Sequence, residues 1–265
     1  MSLPQTWVFK VKAIDKPDDY DVQFTKHGYP HTFIPVLDHK STSLQTLAEI
    51  FSLGPIHCNH LGLVITSQRA VETISRVLWT LNLSPEVRAA WSALPIFVVG
   101  PRTANDLRQI ALFSNSNLTI ADMATELCDA IEARYPNHKD QSINQSLLFL
   151  SGDKRRDVIP RRMAKASIKV HEIKAYETCP HPLLDQSLRD INPSPEDWAV
   201  YFSPSGIRYV CQSIKQLPIT KLAAIGPTTA EYLEKELGLK VHVVADHPDA
   251  VHLVNSMATY DASST

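Results

Sequence analysis

One junction is written twice in this chain, and the repetition limits what it can fold into. Leu222–Leu233 reads LAAIGPTTAEYL and Phe97–Leu107 reads FVVGPRTANDL: an apolar run closes in Gly-Pro, and a threonine-bearing helix start follows. A second junction precedes each one. Gly62–Val71 reads GLVITSQRAV and Ala199–Ile207 reads AVYFSPSGI, each a strand, a turn of small polar residues and a helix. The same order in both halves marks an internal duplication, in too few copies for a solenoid. Around these junctions, apolar runs at 7–12, 30–37, 62–66, 96–99, 147–151, 168–175, 198–202, 221–225 and 240–244 read as strands. Between them Val71, Ile74, Val77, Leu78 and Leu81 recur at helical spacing, as do Ile207, Val210, Cys211 and Ile214. Strands alternating with amphipathic helices predict an α/β fold with largely parallel sheets.

The duplication is not a division into simple halves. The strand–helix–strand at 147–178 has no counterpart after the second Gly-Pro, but residues 7–37 supply one. The N-terminal segment is therefore expected to fold with the C-terminal half. Residues 1–37 plus 177–265 form one discontinuous domain, 41–173 form an inserted second domain, and 38–40 and 174–176 are linker crossings. The expected architecture is α/β: two similar domains, each a parallel sheet flanked by helices, joined by a two-stranded inter-domain linker with the active-site cleft between them. Such clefts are favoured ligand sites. Loops are expected near 38–61, at 136–146 and at 179–197, which holds four prolines, and the tail 259–265 is expected to fray.

Composition narrows the class. With 265 residues, 44% apolar and 20% charged, the chain can bury sizeable cores. A net charge of −2 leaves no basic footprint for nucleic acid. No apolar run reaches the length of a membrane span, and the start MSLPQTWVFK has no apolar targeting core. Cys58, Cys128, Cys179 and Cys211 form no CxxC pair and read as reduced thiols. These features predict a soluble cytoplasmic protein.

An anionic partner must then be held by local geometry. In Gly226–Glu231, Thr228 as N-cap with Glu231 three residues on predicts a capping box, worth about 1 kcal/mol. The same helix-start amides and hydroxyls can hold a carboxylate or phosphate. Ser203-Pro204-Ser205-Gly206 fits that scheme, with glycine permitting close approach, and Ser67 is its partner upstream. Arg69 adds a fork that matches a carboxylate. In a parallel sheet these turns lie at the carboxyl ends of the strands, where ligands bind. Other chemistries lack their signatures. Among the eight glycines no GxG occurs, and GxSxG is missing. His57-Cys58-Asn59-His60 has no second ligand pair at zinc spacing, so it reads as a loop patch. His242, His247 and His252 are read as unrelated, and Lys154-Arg155-Arg156 with Arg161-Arg162 as a solvated helix face, although the turn after Gly152 can also bring one of these cations to the cleft.

The ordered set Ile65–Glu72, Val99–Ala104, Leu148–Asp157, Tyr176–Thr178, Phe202–Gly206 and Ala224–Ala230 resembles the uroporphyrinogen-III synthases of eukaryotic, fungal type. The resemblance runs from about Trp7 to about Met257. It implies a lyase that cyclises hydroxymethylbilane to uroporphyrinogen III, with loss of water and inversion of ring D, in heme biosynthesis. It implies no metal or organic cofactor, a polycarboxylate small-molecule substrate, a monomer, and handover from the upstream hydroxymethylbilane synthase. By position, Tyr176 is implied as the catalytic residue that assists departure of the hydroxyl. Ser67, Arg69, Thr103, Ser203, Ser205, Gly206, Thr228 and Thr229 are implied to line the site, with Lys12 and Lys221 as further cationic contacts. The chain departs from the pattern at Gln68, where many relatives carry proline, and at Arg102, where a small or polar residue is common. Two rivals stand beside this reading. One is a non-catalytic two-lobed module that binds an anionic small molecule. The other is a doubly wound enzyme acting on a phosphorylated substrate, against which the missing Gly-rich loop counts.

Overall fold

The computed structural model describes residues 4–14, 16–136, 145–214 and 220–263. Along the chain run β1 (Thr6–Phe9), α1 (Asp19–Lys26), β2 (His31–Phe33), β3 (Leu37–Ser41), α2 (Leu44–Leu53), β4 (His60–Ile65), α3 (Gln68–Trp79) and α4 (Pro85–Ala93). Then come β5 (Ile96–Val99), α5 (Pro101–Arg108), β6 (Leu118–Ala121), α6 (Ala124–Arg134), β7 (Ser146–Gly152), α7 (Val158–Lys165) and β8 (Lys169–Pro180). The rest comprises α8 (Leu184–Arg189), β9 (Trp198–Tyr201), α9 (Pro204–Ser213), β10 (Lys221–Ala224), α10 (Pro227–Glu231), β11 (Val243–Val244) and α11 (Ala250–Ser263). The chain divides into two compact units, Met1–Asp38 with Cys179–Thr265, and His39–Thr178.

Each unit is built on one sheet. The first has strand order β11-β10-β9-β1-β2, the second β3-β8-β7-β4-β5-β6. Aligning the repeated motifs pairs β9 with β4, β10 with β5, β11 with β6, β1 with β7 and β2 with β8. Under that pairing the sheets read β2-β1-β9-β10-β11 and β8-β7-β4-β5-β6. The pairings in these two sets of five are all parallel. The duplication is thus one of topology, with β3 as an added edge strand of the second sheet.

Both faces of each sheet are covered at its centre, so β4, β5, β7 and β9 are buried almost throughout rather than alternating, whereas the outer strands β3 and β8 keep polar, exposed positions. All six residues of β4 are buried. Leu63 and Ile65 pack with Ile74, Val77 and Trp91, whereas Val64 packs with Leu127, Ile131 and Met163 on the opposite face. In the other unit Trp198 and Val200 join Val8, while Ala199 and Tyr201 join Phe9. Phe9 and Tyr201 stack with ring centroids 4.5 Å apart.

Several local expectations change. The stretch 38–61 is not a loop, because it holds β3 and α2, and α2 buries Leu47, Ile50 and Phe51. Likewise 179–197 contains α8, which buries Leu184 and Leu188 four residues apart. The single strand expected at 30–37 is two, β2 and β3, and β6 is an unforeseen strand. The expected fraying tail is helical through Ser263, while residues 264 and 265, and 137–144 of the expected loop at 136–146, lie outside the described residues. Among the described residues, no helix is long and apolar enough to cross a membrane.

Candidate active site

In open parallel sheets ligands bind beyond the carboxyl ends of the strands, beside the point where strand order reverses. That point falls between β4 and β7 in residues 39–178, and between β9 and β1 in the other unit.

In the 39–178 unit, the turn after β4 delivers Ser67 as N-cap of α3, its Oγ accepting from the Arg69 N–H at 3.2 Å. Arg69 is exposed and its guanidinium meets Glu72 at 2.7 Å. An exposed pair of this kind contributes roughly 0–1 kcal/mol, so a ligand carboxylate can compete for the arginine. After β5, Gly100 takes a left-handed φ of 85° and Pro101 opens α5. Thr103 sits one turn in and is only 6% exposed, so it lies beneath that turn rather than on its rim. Gln68 donates to the Asp106 carboxylate and so ties α3 to α5.

Tyr176 stands on β8, half-buried, with its ring against Gly152 at the end of β7. His39 approaches it edgewise at 6.1 Å. Next to it, Glu177 accepts from Lys174 at 2.6 Å and pairs with Lys40 at 2.8 Å, contacts that push its carboxyl down to about 2. In the turn after β7, Asp153 Oδ1 accepts from the Thr178 N–H at 3.1 Å. Arg155 is held by Glu172 and Asp157, so the basic run is in part a structural ion-pair cluster.

In the other unit Ser203 caps α9, its Oγ accepting from the Gly206 N–H at 3.1 Å. Gly206 is buried, and a Cβ there would lie 3.2 Å from Val36 Cγ2. The close approach this glycine permits is to Val36, its own core neighbour, and Ser205 is half-buried alongside. After β10 the expected capping box is not formed. Gly226 is the N-cap and Pro227 the first helical residue, no side chain caps the helix, and Glu231 pairs with Lys235. Thr228 is exposed, whereas Thr229 is 3% exposed.

The lysines separate. Lys12 follows β1, at the carboxyl edge, and pairs with Asp21 at 2.8 Å. Lys221 is the first residue of β10, at the amino edge and away from the turns. It bonds Asp261 at 2.7 Å and lies over the Trp198 ring at 4.9 Å. Asp261 also accepts from Tyr29 at 2.7 Å and Trp198 at 2.9 Å, which makes Lys221 part of a structural network holding α11. Sequence reasoning passed over Lys10, which follows β1 at the reversal point. It pairs with Asp18 and faces the rings of Tyr20 at 5.1 Å and Phe33 at 5.3 Å. Burial works against the Asp18 charge, but hydrogen bonds from the Ala13 N–H and Lys10 hold its carboxyl below the usual value. Gly152 was also passed over as a site residue, although a glycine in a strand, here separated from the apolar run Leu147–Leu150 by Ser151, signals close approach.

Comparison with known proteins agrees with this architecture. The family model described as Uroporphyrinogen-III synthase HemD matches residues 18–255. The uroporphyrinogen-III synthase of Schizosaccharomyces pombe is 32% identical over 250 residues, covering 94% of each chain. That of Saccharomyces cerevisiae is 30% identical over 257 residues, covering 92% of each. The solved structure of uroporphyrinogen-III synthetase from Helicobacter pylori matches in fold, with a TM-score of 0.55 at 17% identity, over 97% of this chain and 99% of that one. With nine-tenths of its length matched by the family model and two relatives at this identity, the chain belongs to the uroporphyrinogen-III synthase family.

Proposed function

We propose that this chain cyclises hydroxymethylbilane to uroporphyrinogen III, with loss of water and inversion of ring D, as a lyase of heme biosynthesis. The observation that carries this reading is the family match over residues 18–255. The linear substrate can close unaided to the symmetric isomer, so the enzyme's work is to hold one folded conformation and stabilise charge in the transition state.

In this reading the turns that carry Ser67, Ser203, Ser205 and Thr228 supply amides and hydroxyls to the substrate's carboxylates, while Thr103, Gly206 and Thr229, buried beneath those turns, support them. Arg69 and Lys12 exchange their exposed acidic partners for those same groups. Tyr176 donates a hydrogen bond or proton to the departing hydroxyl. Lys221 enters only indirectly, since its ion pair with Asp261 supports the sheet from the amino edge. We further take the protein to be a cytoplasmic monomer that receives its substrate from the upstream hydroxymethylbilane synthase. Cys58, Cys128 and Cys211 are free thiols, which suits a reducing compartment.

The test is direct. Purified protein is given freshly generated hydroxymethylbilane with no added cofactor, and the oxidised products are separated by chromatography. Isomer III is expected. Isomer I alone, with substrate bound, would leave only the two-lobed anion-binding module.

A further inference from the structure

Gly152 and Tyr176 share a space that only one side chain can fill. A Cβ added at Gly152 would lie 2.5 Å from Tyr176 Cε2 and Cζ and 2.7 Å from its hydroxyl oxygen. Carbon atoms not bonded to each other rest about 3.5–4.0 Å apart, so the phenol could not keep this seat beside any other residue. The seat depends on a break in register. Along β7 and β8, Ser151 pairs with Lys174 and Gly152 with Tyr176, which leaves Ala175 as the extra residue of a bulge. Bulges re-aim a side chain, and this one turns Tyr176 onto Gly152.

The bulged residue is itself held. The Ala175 carbonyl accepts from the Thr42 N–H at 2.7 Å and lies 3.0 Å from Thr73 Oγ1. Thr73 is fully buried on α3, and its hydroxyl also lies 3.0 Å from Ser41 Oγ and from the Arg69 carbonyl. Threonine has modest helix propensity, so its place here is better explained by what its hydroxyl joins. It links β3, the first turn of α3 that Ser67 caps, and the residue preceding Tyr176.

We propose that Gly152 and Thr73 are positioning residues for Tyr176: the missing side chain of Gly152 is the seat of the phenol, and Thr73 fixes the bulge that aims it. This rests on the reading of Tyr176 as donor to the departing hydroxyl. Displacing a catalytic group by about 1 Å can cost on the order of a hundredfold in rate. Gly152→Ala is therefore expected to lower kcat about a hundredfold while KM changes less than about threefold. In a Tyr176→Phe background the same substitution has little left to cost, because residues that act as a unit are non-additive. Thr73→Val is expected to lower kcat in the same Tyr176-dependent way, and Thr73→Ser to restore it. A fluorotyrosine placed at position 176 reports the seat without reference to turnover, and its fluorine NMR signal should move in Gly152→Ala. If Gly152→Ala does not fold, the Thr73 pair and the fluorine signal in Thr73→Val decide. Losses that multiply in the double variants, or an unmoved signal in both variants, overturn the proposal. A moved signal with an unchanged rate for Tyr176→Phe overturns the donor role, and the catalytic part of the proposal with it.

Discussion

Thr228 and Thr229 are neighbours in sequence and opposites in burial. Pro227 fixes φ for the first helical position, so the cap falls on Gly226 and the helix has begun before either threonine. That leaves Thr228 exposed on the first turn and Thr229 3% exposed beneath it. The capping-box pattern of Thr228 and Glu231 is correct as a spacing but loses to the proline, and Glu231 pairs with Lys235 instead. With no cap to serve, the Thr228 hydroxyl is open to a ligand carboxylate. A hydrogen bond to a charged group contributes about 1.5–3 kcal/mol, and 1.4 kcal/mol is a factor of ten. Thr228→Val should raise KM at least about tenfold in steady-state assays, with a melting temperature unchanged within about 1 °C. A lowered melting temperature with unchanged KM would return this residue to a purely structural role.

At the scale of elements, the helices that pack under the sheets carry the stability. Trp91 on α4 is fully buried, its ring centroid 4.6 Å from that of Phe51 on α2, and its Nε1 donates to the Phe51 carbonyl at 3.0 Å. Trp91→Ala removes a large buried ring and strands that carbonyl, and should cost about 3–5 kcal/mol, read as a drop in the urea midpoint. A loss below about 1 kcal/mol would mean that α2 and α4 are not a stability-bearing pair. The sequence signal for α2 is the spacing of Leu47, Ile50 and Phe51, and it was obscured. Ser43 precedes α2 in a left-handed conformation (φ 53°) without capping it, and Gly54-Pro55 follows at once. α8 was obscured in the same way, being six residues between prolines. The hydroxyl-bearing turns were legible because strand–turn–helix junctions declare themselves locally. The seat of Tyr176 on Gly152 was not, since it depends on the register of β7 against β8, which no local pattern encodes.

Across the whole molecule the two edges of the sheets do different work. The turns proposed to meet substrate follow the carboxyl ends of the strands, while the amino ends carry buried polar groups that matter to stability. Lys221 opens β10 against Asp261, and His60 opens β4. His60 is 5% exposed, its ring centroid lies 5.3 Å from that of His171, and its Nε2 is buried without a hydrogen-bond partner among the described residues. Burial, reinforced by His171, lowers its pKa from 6.5 to about 4. Between these values the unfolded chain takes up a proton that the native state refuses, so stability falls as pH falls. Above pH 7 His60 contributes no slope. From about 6.5 down to about 4 it removes up to 1.4 kcal/mol per pH unit, roughly 3 kcal/mol in all. His60→Asn takes away this titration without adding a charge. Urea midpoints measured from pH 7.5 to 4.5 should therefore fall less steeply for the variant than for the native chain, the two curves converging toward acid. Parallel curves would show that His60 is protonated in the folded protein as readily as in the unfolded one.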